Sequence, residues 1–329
     1  MTYVIERFRR LDGRYGFTFH ERPYVQLAKD EAAARTLTQA YASLLDRDGY
    51  GLSYYEAEAV LDRWPGKLAS EDFHGALVNE ENGIVDAEAY VDALAAFAVD
   101  HGVEVRTDTP VKSIRVDGDT VTVVSTDAGD VAARTVVCAA GAGTRELVVP
   151  FFNASVRRFI YCNVHVDRED PLPEDHPMVY GDDLWWRPDP GRPSRLLVSG
   201  GTYFVPEGGR PPEEPPAEYL DKIRTRLPQM VTGVGPEDIV DGSFETCSGG
   251  STITPDALPI LDTPVAAPDG LVVAAGVTAG ISMSPFTGAA VRSLVTGEPA
   301  PVSVEPFRAD RFDAPGRSFR VHGIWDPPW

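Results

Sequence analysis

TPDALPILDTPVAAPDGLVVAAGVTAGISMSPFTGAAV, residues 254–291, is the stretch on which the reading of the fold turns. Leu271-Val272-Val273-Ala274-Ala275 is apolar throughout and reads as a buried strand. It breaks at Gly276 and meets a second glycine at Gly280. A small-residue helix follows, with Pro285 near its first turn and Gly288, Ala289 and Ala290 inside it. In α/β proteins a strand that ends on glycine and feeds a helix N-terminus brings bare backbone N–H groups up to a ligand. Small side chains let that ligand approach the chain closely.

The unit upstream of this loop is also well marked. Asp86 is a good N-cap for AEAYVDALAAFAVDHG, where Tyr90, Leu94 and Phe97 recur at i, i+4 and i+7 and Gly102 sits at the C′ position. Val103-Glu104-Val105 alternates as a short strand. VKSIRV and TVTVVST then flank the hairpin turn Asp117-Gly118-Asp119, and TVVCAAGAG (135–143) returns as a buried strand. Nearer the N-terminus, residues 22–28 read as a strand, 29–46 and 54–63 as helices, and 74–78 as a strand. From about Phe151 the texture changes to alternating, aromatic-rich segments separated by Pro/Gly loops, which suggests an antiparallel sheet. Residues 205–216 read as an exposed loop and 217–227 as a short helix.

Composition narrows the function classes. A net charge of −20 argues against binding nucleic acid or an anionic membrane through a general field. No run of 18 apolar residues is present, so no transmembrane helix is expected. The opening MTYVIERFRRLDG is charged and lacks the apolar core of a signal peptide, which makes the cytoplasm the expected compartment. Cys138, Cys162 and Cys247 are widely spaced with no histidine at ligand spacing, so neither a metal site nor a disulfide framework is expected. Cys138 lies in an apolar run and reads as a buried small hydrophobe. The carboxylate pairs Glu80-Glu81, Asp182-Asp183 and Glu213-Glu214 read as solvated loops, and His165 as a satisfied strand residue.

Taken in order, GIVDAEAYVDALAAFAVDHGVEVRTDTPVKSI (83–114), TVVCAAGAG (135–143), TPDALPIL (254–261), GLVVAAGVTAGISMSP (270–285) and PFRADRF (306–312) resemble one family. They are similar to the flavin-dependent oxidoreductases of the D-amino-acid oxidase superfamily, nearest the glycine/sarcosine oxidase branch. The resemblance implies non-covalently bound FAD and oxidation of the C–H beside the amine nitrogen of an amine or amino acid. Carried over residue by residue, it puts the backbone of Val111 on the adenine, and Ala139, Ala140 and Gly141 on the phosphate and ribitol side. Gly276 and the run Gly280, Ile281, Ser282 and Met283 would follow the isoalloxazine and ribitol. The aromatic sheet would roof the flavin, making Tyr180, Trp185, Trp186 and Arg187 the substrate-pocket candidates.

The implied fold is α/β. It joins an FAD/NAD(P)-binding-type sheet missing its first βαβ unit to an α+β substrate domain built on an antiparallel sheet. Residues 84–150 and 251–312 would form the FAD-binding domain and residues 14–83 and 151–250 the substrate domain. Residues 1–13 and 313–329 would be terminal extensions. The family's strand–GxGxxG–helix, which anchors the pyrophosphate, has no match here, since Gly141-Ala142-Gly143 is followed by Thr144, Arg145 and Glu146. The expectation is therefore that this chain binds FAD poorly alone, and that a partner subunit or a longer N-terminus supplies the dinucleotide-binding unit. Ser282 stands where the family's oxidases often carry a lysine, which leans toward a dehydrogenase. Ser251 stands where a carboxylate-binding arginine is expected, a role Arg187 can take because guanidinium suits bidentate carboxylate binding. Cys247 reads as an unmodified thiol. The contrasting reading is a catalytically inactive paralogue, or a truncated product, serving as a binding or scaffold subunit.

Overall fold

A computed structural model of the chain describes residues 2–46, 51–64, 68, 73–151, 156–181, 184–204, 217–239, 244–246 and 251–312. The 205–216 loop with Glu213 and Glu214, the pair Asp182 and Asp183, Cys247 and the 313–329 extension lie outside those residues. The chain forms two compact units: Met1–Phe97 with Tyr161–Gly201 and Pro212–Cys247, and Ala98–Ile160 with Thr202–Pro211 and Ser248–Trp329.

The first unit is built on a long sheet. Its strands run in the order Phe244–Thr246, Arg157–Asp167, Arg192–Phe204, Trp185–Asp189, Met178–Tyr180, Tyr24–Ala28, Gly75–Asn79 and Leu52–Glu56. Trp185–Asp189 pairs antiparallel with both Met178–Tyr180 and Arg192–Phe204, as expected, whereas Met178–Tyr180 and Tyr24–Ala28 pair in parallel. Parallel pairing needs a long connection rather than a hairpin, and these two strands are far apart in the sequence. Period-2 alternation then sorts the side chains. Val179, Trp186 and Val198 are cross-strand neighbours on one face, and all three are fully buried. The helix Ala217–Met230 buries Tyr219, Ile223 and Leu227 at i, i+4 and i+8. It is pinned to the sheet by Gly200 N–H, which donates to the Tyr219 hydroxyl (3.2 Å), and by Lys222 Nζ, which donates to Gly200 O (2.8 Å).

One sequence expectation is corrected in this unit. Residues 54–63 are not one helix: Leu52–Glu56 is a strand and the helix covers Ala57–Arg63. Tyr54 and Tyr55 favour a pleated surface, and they pair with Leu77 and Ala76 across the sheet edge. The N-terminal residues also form an amphipathic helix, Thr2–Leu11, which burial of Ile5 and Phe8 ties down. The Phe8 ring lies 5.5 Å from Phe19 and 5.1 Å from Tyr90.

In the second unit, Ile260–Asp262 pairs antiparallel with Leu271–Ala275, which pairs in parallel with Val136–Cys138. The strand Leu271–Ala275 is buried at all five positions, as its unbroken apolar run requires. Its inner face joins Ile114, Val121, Cys138, Val148 and Ile260 in one core cluster. A separate meander of Val111–Asp117, Thr120–Thr126 and Gly129–Ala132 carries the Asp-Gly hairpin, with Gly118 at φ 58° as that turn demands. Val103 and Val105 are exposed and not in a strand, contrary to their alternation. Among the described residues no neighbouring strand offers them a ladder, and alternation without a partner does not hold a strand.

Candidate functional site

The parallel pairing sets Val273 opposite Cys138, so both strands end on the same edge of the small sheet. Two loops leave that edge, 139–143 and 276–283. Open α/β sheets bind ligands at this carboxyl edge.

Gly276 is required where it stands. Its φ is 66°, and a Cβ there would lie 2.5 Å from the Thr254 methyl carbon Cγ2. Gly280 meets the opposite situation: it is exposed, and nothing lies within 4 Å of its would-be Cβ. It opens the helix Gly280–Thr296, whose N-cap residue Ala279 provides no side-chain cap. Ser282 Oγ turns back to donate to Ala279 O (3.2 Å), and Met283 N–H donates to the same carbonyl (2.8 Å). Among the described residues the first-turn N–H groups receive no side-chain cap, and they carry the positive end of a 17-residue helix.

Val111, Ala139 and Ala140 meet in one open cleft of about 690 Å³, together with Val137, Cys138 and Gly143. That size lies within the range of small-molecule sites, roughly 300–1,000 Å³. Gly141 adjoins it, with φ 53° and nothing within 4 Å of its would-be Cβ. The rest of the lining is mostly aliphatic, with Lys112 and Glu146 as its charged groups. Gly276 and the run Gly280 to Met283 are not part of the cleft lining; they follow the neighbouring strand. Cys138 reads from the sequence only as a core residue, yet it also lines the cleft. Burial pushes its thiol pKa up, against smaller opposing pulls from the Ala140 backbone and the Thr144 side chain, so it is a neutral wall atom rather than a nucleophile.

The turn beside Gly276 is held by charge. Arg311 Nε donates to Asp256 Oδ2 (2.9 Å) and Nη2 to Asp256 Oδ1 (3.2 Å). Burial pulls the Asp256 carboxyl upward, but hydrogen bonds from Arg311, Leu258 N–H and Thr254 outweigh it and leave the pKa lowered. A carboxylate with a lowered folded pKa contributes stability that is present above its unfolded value of about 3.9 and is lost as pH falls through the folded value. Acid unfolding of the wild-type second unit should therefore be steeper below the normal carboxylate range than that of Asp256→Asn. Superimposable acid titrations followed by circular dichroism would refute the assignment.

In the first unit, burial settles which tryptophan is which. Trp186 is 0% exposed and packs in the core, which removes it from the pocket candidates. Trp185 and Arg187 lie on the opposite face, with Tyr180 directly across from Trp185. Tyr24 follows on the next strand; the sequence does not single it out, although strand alternation places it on the same face. Burial drives the Tyr24 phenol pKa upward, helped by the nearby Tyr41 and Tyr180 phenols. Arg187 is only partly exposed, and its Nη1 donates to Pro188 O (3.1 Å). Burial lowers its pKa, opposed by the charges of Asp189 and Asp86. Among the described residues no carboxylate closes an ion pair with it. A desolvated guanidinium with unused donors is costly unless an anion completes it.

No group of His, Cys, Asp and Glu suited to a metal ion occurs among the described residues, and no described helix is long and apolar enough to cross a membrane. The family described as "FAD dependent oxidoreductase" matches residues 1–294. A D-amino acid dehydrogenase of Paramagnetospirillum magneticum is 28% identical over 276 residues, which are 78% of this chain and 57% of that protein. A second D-amino acid dehydrogenase, from Cereibacter sphaeroides, is 28% identical over 324 residues, 93% of this chain and 68% of that protein. The chain thus spans a little over half the length of the first relative and about two-thirds of the second. Among solved structures, glycine oxidase from Geobacillus kaustophilus superposes with a TM-score of 0.76 at 26% identity, over 94% of this chain and 80% of that one. L-proline dehydrogenase from P. horikoshii superposes with a TM-score of 0.81 at 20% identity, over 94% and 83%, a likeness of fold.

Proposed function

The chain belongs to the FAD-dependent oxidoreductase family, and on that premise we propose that it serves the oxidation of an amino acid at the carbon beside its amine nitrogen. Bound FAD supplies the two-electron acceptor for the hydride that leaves this carbon. The chain's own residues bind and orient. Val111, Ala139, Ala140 and Gly141 hold the adenosine and phosphate side of the cofactor. Gly276, Gly280, Ile281, Ser282 and Met283 hold the ribitol and ring side, where uncapped N–H groups favour developing negative charge.

Arg187 binds the substrate carboxylate, and Tyr180 and Trp185 flank the rest of the substrate. The observation that carries this assignment is a desolvated guanidinium, without a carboxylate partner among the described residues, beside two aromatic rings on one sheet face. Arg187→Met is expected to raise KM for an amino acid by roughly 100-fold with little change in stability, the scale of one charge-assisted bidentate contact. Arg187→Lys should recover part of that loss. An unchanged KM for Arg187→Met, measured with an artificial electron acceptor, would remove the carboxylate role.

Ser282 in the ring-side loop favours a dehydrogenase over an oxygen-using oxidase, in line with the names of the two curated relatives. Those names also speak against a catalytically silent scaffold. Turnover with an artificial acceptor but negligible peroxide formation in air is the expected pattern. The outer edge of Val136–Cys138 has no partner strand among the described residues, and Val137 beside it is exposed. That edge supports a further polypeptide segment, from a partner subunit or from a longer form of the chain, completing the dinucleotide site. Flavin titration of the chain with and without such a segment tests this point directly.

A further inference from the structure

The 276–283 loop is tied outside its own first helical turn by Thr278 Oγ1, which donates to Thr252 O (3.4 Å), and a buried contact at Gly276 further dictates its path. Thr254 is fully buried, and its methyl group occupies the space a side chain at position 276 would need. What holds Thr254 there lies 57 residues further along the chain, counting from 254 to 311. Its hydroxyl is 2.6 Å from Leu258 O and 3.0 Å from Asp256 Oδ1. Leu258 N–H also donates to Asp256 Oδ1 (3.1 Å), closing a tight turn in which Ala257 takes the left-handed φ of 61°. Non-glycine residues adopt that conformation only where surrounding bonds over-determine it.

Arg311 supplies those bonds. Its guanidinium donates twice to Asp256, once to Leu258 O (2.6 Å) and once to Arg308 O (2.7 Å), and it lies 4.1 Å from the Phe312 ring centroid. Ala309 N–H fixes the same segment a second time by donating to Asp262 Oδ2 (2.9 Å), on the strand that pairs with Leu271–Ala275. Only a planar fork spans a carboxylate and two carbonyls in this way, since a lysine could not satisfy all three together.

We propose that Arg311 is a positioning residue for the 276–283 loop, acting through Asp256 and the buried Thr254 rather than by touching a ligand. The functional weight of that link rests on the proposed reading of the loop as the ring-side contact of the flavin.

Hydrogen exchange on the full chain tests it without relying on activity. In Arg311→Leu, amide exchange across 276–283 is expected to rise roughly tenfold or more, the scale of losing a charge-assisted hydrogen bond. Exchange within Leu271–Ala275, the internal reference, should change much less. Asp256→Asn should reproduce the pattern more mildly, and Arg311→Lys should restore part of the protection; these two variants serve if Arg311→Leu does not fold. Loop exchange that stays at the wild-type rate, or that rises only in step with Leu271–Ala275, overturns the proposal and leaves Arg311 a general stabiliser. FAD titration is the second arm. Wild type that takes up no FAD even with a segment completing the dinucleotide site, with loop exchange still coupled to Arg311, defeats the flavin reading of the loop while sustaining the link. Wild type and Arg311→Leu that bind FAD equally tightly defeat the link's role in cofactor placement.

Discussion

Gly276→Ala is expected to lower the stability of the second unit by about 2–5 kcal/mol and to weaken flavin binding. Two costs combine. An L-residue at φ 66° costs roughly 1–2 kcal/mol. The added methyl also sits 2.5 Å from Thr254 Cγ2, and overpacking of that kind costs about 1–3 kcal/mol. The second cost depends on whether Thr254 can yield. It is fully buried and bonded through its hydroxyl to the turn that Arg311 holds, so it cannot move aside cheaply. Thr254→Ser removes the obstructing methyl and keeps the hydroxyl. The double variant Gly276→Ala/Thr254→Ser should therefore recover the overpacking part and keep only the backbone cost. Urea unfolding of the four proteins in this cycle measures the coupling, and strict additivity would show that the methyl is not the obstacle. Gly280→Ala is the matched control. With open space in front of it, this change should leave stability almost unaltered while weakening whatever the helix N-terminus binds.

The second large effect separates two adjacent tryptophans. Trp186→Ala removes a fully buried ring from between Val179 and Val198 and should cost about 3–5 kcal/mol, with loss of cooperative unfolding in the first unit. Trp185→Ala should cost less than about 1 kcal/mol, because the ring faces away from the packed layer, yet it should weaken substrate binding. Thermal unfolding and KM measured on both variants read the two faces of one strand. If the stability ranking were reversed, the register of Trp185–Asp189 against Arg192–Phe204 would be wrong by one residue, since a single-residue slip exchanges the faces.

These contrasts show where the sequence is informative. The buried strand at 271–275, the helix after Gly280 and the Asp-Gly hairpin follow from local patterns, and each forms as those patterns demand. Alternation establishes that Trp185 and Trp186 point opposite ways, but only the neighbours Val179 and Val198 decide which is inside. Tyr54 misleads for a related reason. Its segment has a helical apolar spacing, while its pairing with Leu77 on a distant strand makes it part of a sheet. Val103 and Val105 show the converse, a strand-like pattern with no ladder to join. Ile5 and Phe8 lie three residues apart, a visible signal for the N-terminal helix, but the aromatic cluster that holds it comes from residues 17–19 and 90. The Arg311 fork is invisible in principle, since no local rule links an arginine to a turn more than fifty residues earlier.

The Cys138 thiol, sealed between the small sheet and the cleft floor, gives this protein a built-in clock. Cys138 is 4% exposed at the cleft wall, so a bulky thiol reagent needs a local opening of the second unit to reach it freely. With Cys162 and Cys247 replaced by serine, the labelling rate would therefore report the opening equilibrium of the second unit alone. Any molecule that fills the cleft should slow the clock by its own occupancy, so ligands can be ranked on the chain before a substrate is in hand.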